Sequence, residues 1–103
     1  MTAYVVFQGE VTDAELYEKY KPLAADSVQK YGGSYLVRGG SWLAMEGEAP
    51  PARNVIIRFP SMEVAKAWYS SAEYAAARPL RQQASEGSLY IICLLYTSDA
   101  ADE

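Results

Sequence analysis

The chain has 103 residues, a net charge of −4 and a residue content that is half hydrophobic, including nine tyrosines and two tryptophans. That length suits one domain with one core, and that composition excludes a disordered chain. No apolar run reaches the ~18 to 20 residues of a membrane span. There is no histidine, the commonest general base and metal ligand, and a single cysteine excludes an internal disulfide.

The opening "MTAYVVFQGE" carries no basic segment ahead of its apolar one, so no secretory leader is expected. Residues 3–10 read as a strand rich in β-branched and aromatic residues. A helix follows, with Thr12 and Glu15 as a capping box and Leu16, Tyr20, Leu23, Ala24 and Tyr31 at helical spacing. Pro22 should kink it, and Gly32-Gly33 should end it. Two strands at 34–38 and 41–47, joined by Gly39-Gly40, read as a hairpin whose turn needs positive φ at both glycines. That register sets Arg38 opposite Ser41 and Val37 opposite Trp42.

"GEAPPAR" (47–53) is a loop stiffened by two prolines, and "NVIIRF" (54–59) is a further strand. Ser61 is the expected N-cap of a second helix with Met62, Ala65 and Trp68 on one face. Ser70 and Glu73 form a second capping box, which predicts a break near residue 70, and Pro79 clouds the end of the segment after it. "GSLYII" (87–92) is the last strand. The remaining stretch, "CLLYTSDAADE" (93–103), resembles the translated read-through of a transposon sequencing adapter. It is read as a non-native tail on a domain spanning 1–92. Leaving out its three acids, Asp99, Asp102 and Glu103, brings the net charge from −4 to −1. The lone Cys93 leaves with the tail, and the cysteine-poor remainder fits a reducing cytoplasm.

These elements assemble as an α+β fold. The order β-α-β-β-α-β with right-handed crossovers gives a ferredoxin-like antiparallel sheet with its helices on one face. Yet the strands are apolar on both sides: Tyr35, Val37, Trp42 and Ala44 oppose Leu36 and Leu43, and Ile56 opposes Val55, Ile57 and Phe59. Helices on one face leave the other bare, so the expected partner is a second copy, a homodimer with the sheets face to face. The competing occupant of that face is a lipid-like ligand.

The stretches "KYGGSYLVRGGSWLAMEG", "RNVIIRFPSMEVAKAWYSSAEYAAARPLR" and "EGSLYII" carry the pieces Y-G-G, V-R-G-G, F-P-S and W-Y-x-S-x-E-Y in this order. In these the chain resembles the domain-of-unknown-function family numbered 1330, over residues 3–92. The resemblance implies a dimeric α+β barrel. It implies no particular reaction, because the wider superfamily spans cofactor-free monooxygenases, muconolactone-type isomerases, haem proteins and stress-responsive barrels.

Arg38 is the leading ligand-binding candidate. It ends a strand beside Gly39 and Gly40, where a guanidinium and exposed N–H groups suit an anion; the alternative is a surface or subunit-pairing arginine. Trp42 and Tyr74 join it as aromatic walls, against core packing as the alternative. Arg58, a mid-strand charge, either pairs with Glu46 or touches the ligand. Tyr69 and Glu46 are the candidate acid or base if the protein is an enzyme, which the sequence does not decide. No cofactor or metal is expected, since carboxylates alone carry no ligand spacing here. No nucleic-acid partner is expected either: the RNA-recognition signature is missing. The expected function is binding of a small aromatic or anionic molecule, with cofactor-free proton transfer or isomerisation as its catalytic form. A non-catalytic binding or stress-associated scaffold is the alternative.

Overall fold

A computed structural model describes residues 1–94. Strand β1 (Ala3–Val11) alternates buried and half-buried residues along its length, as a strand packed on one side must. It lies between β3 (Arg53–Phe59) and β4 (Ser85–Cys93), and β2 (Ser34–Arg38) forms the edge beyond β3. All pairings are antiparallel in the order β2-β3-β1-β4, the ferredoxin-like α+β arrangement.

Helix α1 (Ala14–Lys30) starts one residue later than the Thr12 capping box predicts. Asp13 is the N-cap, its carboxylate accepting from Leu16 N at 3.1 Å. The reason is upstream: β1 runs to Val11, and the N–H groups of Thr12 and Asp13 both go to the Ala84 carbonyl. The helix continues past Pro22, which is exposed, so water can take the carbonyl left without a partner. Its buried stripe is Tyr17, Ala24, Ser27 and Val28, while Leu16 is half-buried and Leu23 exposed. Gly32, with φ of +73°, closes it as expected.

The expected hairpin is not formed. Residues 41–47 carry no strand, and β2 pairs with β3 instead, Arg38 facing Val55 and Val37 facing Ile56. Of the two glycines only Gly39 has positive φ, so the two-residue turn geometry is missing. Trp42 to Met45 is a contiguous apolar run rather than an alternating one, and Leu43 and Met45 are both exposed. The β-branched run of β3 offers the better ladder.

On the same face of the sheet as α1, Ser61 caps α2 (Met62–Ser70) as expected. The break at residue 70 is also as expected, but the cap belongs to Ser71, not Ser70. The Ser71 hydroxyl donates to the Trp68 carbonyl at 2.6 Å and accepts from Tyr74 N at 3.0 Å, closing α2 and opening α3 (Ala72–Ala75). Glu73 serves elsewhere, binding Lys30 at 2.7 Å and the Tyr31 hydroxyl at 3.2 Å. Pro79 sits in the first turn of α4 (Arg78–Ala84), where its missing N–H costs nothing. Strand β4 reaches Cys93, and Leu94 N bonds the Thr2 carbonyl, because a backbone ladder accepts any side chain. The rest of the segment read as adapter-derived, 95–103, lies outside the described residues.

The core lies between the helices and one face of the sheet. Val5, Phe7, Val55, Ile57 and Phe59 meet Val28, Ala65, Trp68 and Tyr74. The opposite face has no helix over it among the described residues. Its middle row is Val37, Ile56, Val6 and Tyr90, flanked by Tyr4 and Ile92; Gln8, Asn54 and Ser88 make one end polar.

Candidate functional site

A β-bulge decides what the cleft contains. Tyr35 pairs with Ile57 and so faces the helices. Strict alternation would then send Val37 the same way and Arg38 outward. The register instead shifts between Tyr35 and Val37, which turns Val37 to the outer face and brings Arg38 back beside Tyr35. The Arg38 guanidinium stacks 4.5 Å from the centre of the Tyr35 ring.

Both side chains line a cleft between α1 and the sheet. Its polar lining is Tyr17, Tyr20 and Lys21 from α1, Tyr35 and Arg38 from β2, and Arg53 from the start of β3. The cleft has room for about one water-sized group, about 20 Å³; counted together with the open solvent at its mouth it spans about 400 Å³. Apolar walls come from Val5, Phe7, Ile57 and Trp68.

Arg53 Nε donates to the Tyr17 hydroxyl at 3.0 Å, and its guanidinium lies 5.0 Å from that ring's centre. Lys21 is held by Glu18 at 2.6 Å, which lowers the Glu18 pKa through the hydrogen bond and then the charge of Lys21. Tyr20 touches Tyr17 ring to ring at 5.2 Å, and its hydroxyl lies 2.9 Å from that of Tyr74. Burial, followed by the Tyr74 neighbour, pushes the Tyr20 pKa far above the usual phenol range. Burial raises that of Tyr35 too, against the pull of Arg38. Both hydroxyls therefore stay protonated at neutral pH. Among the described residues no carboxylate lines this cleft, and no group of three His, Cys, Asp or Glu could hold a metal ion.

Gly39 keeps Arg53 in place. Its φ is +72°, and a Cβ there would meet Arg53 Nη1, whereas one on Gly40 meets only Val37, at 3.8 Å. Gly39→Ala should therefore cost about 1–2 kcal/mol from the left-handed backbone alone and push Arg53 off Tyr17. Gly40→Ala should move stability by no more than ~0.5 kcal/mol. Urea midpoints of the two variants check this, and equal midpoints would refute it.

Of the residues named from sequence, the structure brings Arg38 to the cleft, places Gly39 against the Arg53 guanidinium that lines it, and sets the Tyr74 hydroxyl against that of Tyr20. The others lie apart. Trp42 is on the loop after β2, its Nε1 donating to the Ala52 carbonyl at 3.2 Å. Glu46 is exposed on the same loop, and Arg58 is exposed on the outer face opposite Tyr4. Tyr69 lines a separate, open depression with Met62, Lys66 and Tyr90. Arg78 braces it, donating to the Tyr69 carbonyl at 2.6 Å and stacking 5.0 Å from its ring.

Sequence reasoning missed Tyr17, Lys21 and Arg53. The signal was present in the spacing, since 17, 20, 21, 24 and 28 form one helical stripe. The more hydrophobic Leu16 and Leu23 drew attention to the neighbouring stripe.

A family model described as "Domain of unknown function (DUF1330)" matches residues 2–94. Among solved structures, RPA0582, a protein of unknown function from Rhodopseudomonas palustris, superposes with a TM-score of 0.73 at 17% identity, covering 92% of this chain and 83% of that one. An antibiotic biosynthesis monooxygenase superposes at 0.56 with 10% identity, covering 93% of this chain and all of that one (100%). Rv0793 from Mycobacterium tuberculosis gives 0.54 at 10% identity, with 95% and 99% covered. At these identities the likeness is one of fold. No curated protein matches the chain.

Proposed function

The chain belongs to the family described as domain of unknown function 1330, and from that premise we propose that it is a homodimer binding a small oxyanion with a planar apolar body. The observation that carries this is the chemistry of the cleft. Its polar lining consists of hydrogen-bond donors, Arg38, Arg53, Lys21 and tyrosine hydroxyls, over apolar walls. A carboxylate or phenolate oxygen fits the narrow interior, and an aromatic body fits the mouth beside the Arg38–Tyr35 stack.

Binding is preferred here to catalysis. Proton transfer or isomerisation would need a base at the cleft, and Tyr69 and Glu46 do not line it. Tyr20, held protonated, serves as a donor and not as a base. The dimer reading rests on the apolar centre of the uncovered sheet face, where Tyr90 and Ile92 are about half exposed, at 45% and 53%. A cytoplasmic setting completes the proposal. Cys93–Glu103 remain read as adapter-derived, and nothing in the proposed site uses them.

Benzoate, salicylate and 4-hydroxybenzoate at millimolar concentration should raise the melting temperature of the wild type. Arg38→Ala should weaken their binding at least tenfold and abolish most of the shift. Equal stabilisation of both proteins would remove Arg38 from the site, and no stabilisation of either would remove the site.

A further inference from the structure

Arg81 is a buried arginine, 8% exposed, and it takes no part in the two ion pairs found among the described residues. It lies behind the cleft wall, 5.4 Å from the centre of the Phe7 ring, and its Nε donates to the Tyr74 hydroxyl at 3.2 Å. Tyr74 is fully buried, and its hydroxyl has one other partner, the Tyr20 hydroxyl at 2.9 Å. Only one orientation of the protons satisfies all three groups. Arginine has no acceptor, so its N–H must point at the Tyr74 oxygen. If Tyr20 then donated to Tyr74, the Tyr74 proton would be left in the core with nothing to receive it, which is costly for a buried donor. If Tyr74 donates to Tyr20, the proton left over belongs to Tyr20, which lines the cleft.

We propose that Arg81 and Tyr74 are positioning residues that fix the Tyr20 hydroxyl as a donor into the cleft, so that the site selects a deprotonated oxyanion over a ligand that brings its own hydroxyl proton. Arg53 does the same for Tyr17 from the other side: its N–H occupies the Tyr17 oxygen and leaves that proton to the cleft. Chained hydrogen bonds that begin at a cation polarise one another in one direction, which strengthens the last donor. The selectivity rests on the anion-site reading above; the orientation of the relay does not.

The test compares wild type, Tyr20→Phe and Tyr74→Phe with two probes of similar shape, benzoate and benzyl alcohol. Tyr20→Phe should weaken benzoate about tenfold, the loss of one hydrogen bond to a charged acceptor. Tyr74→Phe touches neither probe. It frees the Tyr20 oxygen to accept, so benzoate should weaken while benzyl alcohol holds or improves, and the benzoate preference should fall about tenfold. A merely structural Tyr74 would weaken both probes together, which would overturn the proposal. Tyrosine 13Cζ NMR of the ligand-free variants reads the relay separately. The Tyr20 signal should move in Tyr74→Phe and in Arg81→Met, and a stationary signal would overturn it. Should benzoate fail to bind the wild type, the anion-site reading falls, and this signal alone decides the relay.

Discussion

Trp68→Ala should cost about 3–5 kcal/mol and lower the melting temperature by on the order of 15 °C or more. Trp68 is 1% exposed and is the hub of the aromatic core. Its ring centre lies 5.2 Å from Phe59, 4.2 Å from Tyr74 and 6.3 Å from Tyr69. Truncation forfeits the transfer term of a large side chain and opens a cavity among rings that cannot collapse into it. The indole Nε1 also donates to Ser27 Oγ at 2.9 Å, which in turn donates to the Ala24 carbonyl at 2.7 Å, tying α2 to α1. Trp68→Phe keeps most of the ring contact and loses only that tie, at about 1–2 kcal/mol. Guanidinium unfolding of both variants checks the ordering, and a cost for Trp68→Ala no greater than for Trp68→Phe would refute it. Because Trp68 also walls the cleft, the alanine variant should lose benzoate binding at concentrations that saturate the wild type.

The strands, the helix punctuation at Gly32 and Ser61, and the ferredoxin-like order were legible because each depends on local chemistry: β-branched runs, a glycine at a helix end, a serine before a helix. The caps at Asp13 and Ser71 each lay one residue from the expected position. Both Thr12 and Ser70 are chemically able caps, and the choice fell to what their neighbours already bonded, a long-range matter at Thr12, whose amide is taken by Ala84. The hairpin failed for a related reason. Gly39-Gly40 looks like a turn, but the edge of β3 competed for β2 and won. Arg38 was legible as a candidate, but its route into the cleft was not. That route is a one-residue register shift, and nothing in the alternation of "SYLVR" announces a bulge. Arg53 and Arg81 were invisible as site residues because their partners, Tyr17 and Tyr74, lie 36 and 7 positions away in the chain.

Ile56→Lys should convert the proposed homodimer to a monomer, weakening association at least 100-fold, about 3 kcal/mol. Ile56 sits between Val37 and Val6 in the middle row of the uncovered face. In a pair related by a twofold axis, one substitution introduces two ammonium groups. Each would lose water inside an apolar patch that offers no counter-charge nearby, since Val6, Val37 and Tyr90 are its row. The isolated protomer should tolerate the change, because Ile56 is only half-buried and points away from the core. Its circular dichroism should therefore match the wild type. Gln8→Lys, on the polar end of the same face opposite Asn54 and Ser88, should leave the dimer in place. Sedimentation equilibrium at micromolar concentration distinguishes the cases. A wild type that runs as a monomer, or an Ile56→Lys variant that still pairs, would mean that the apolar row serves something other than a second copy of this chain.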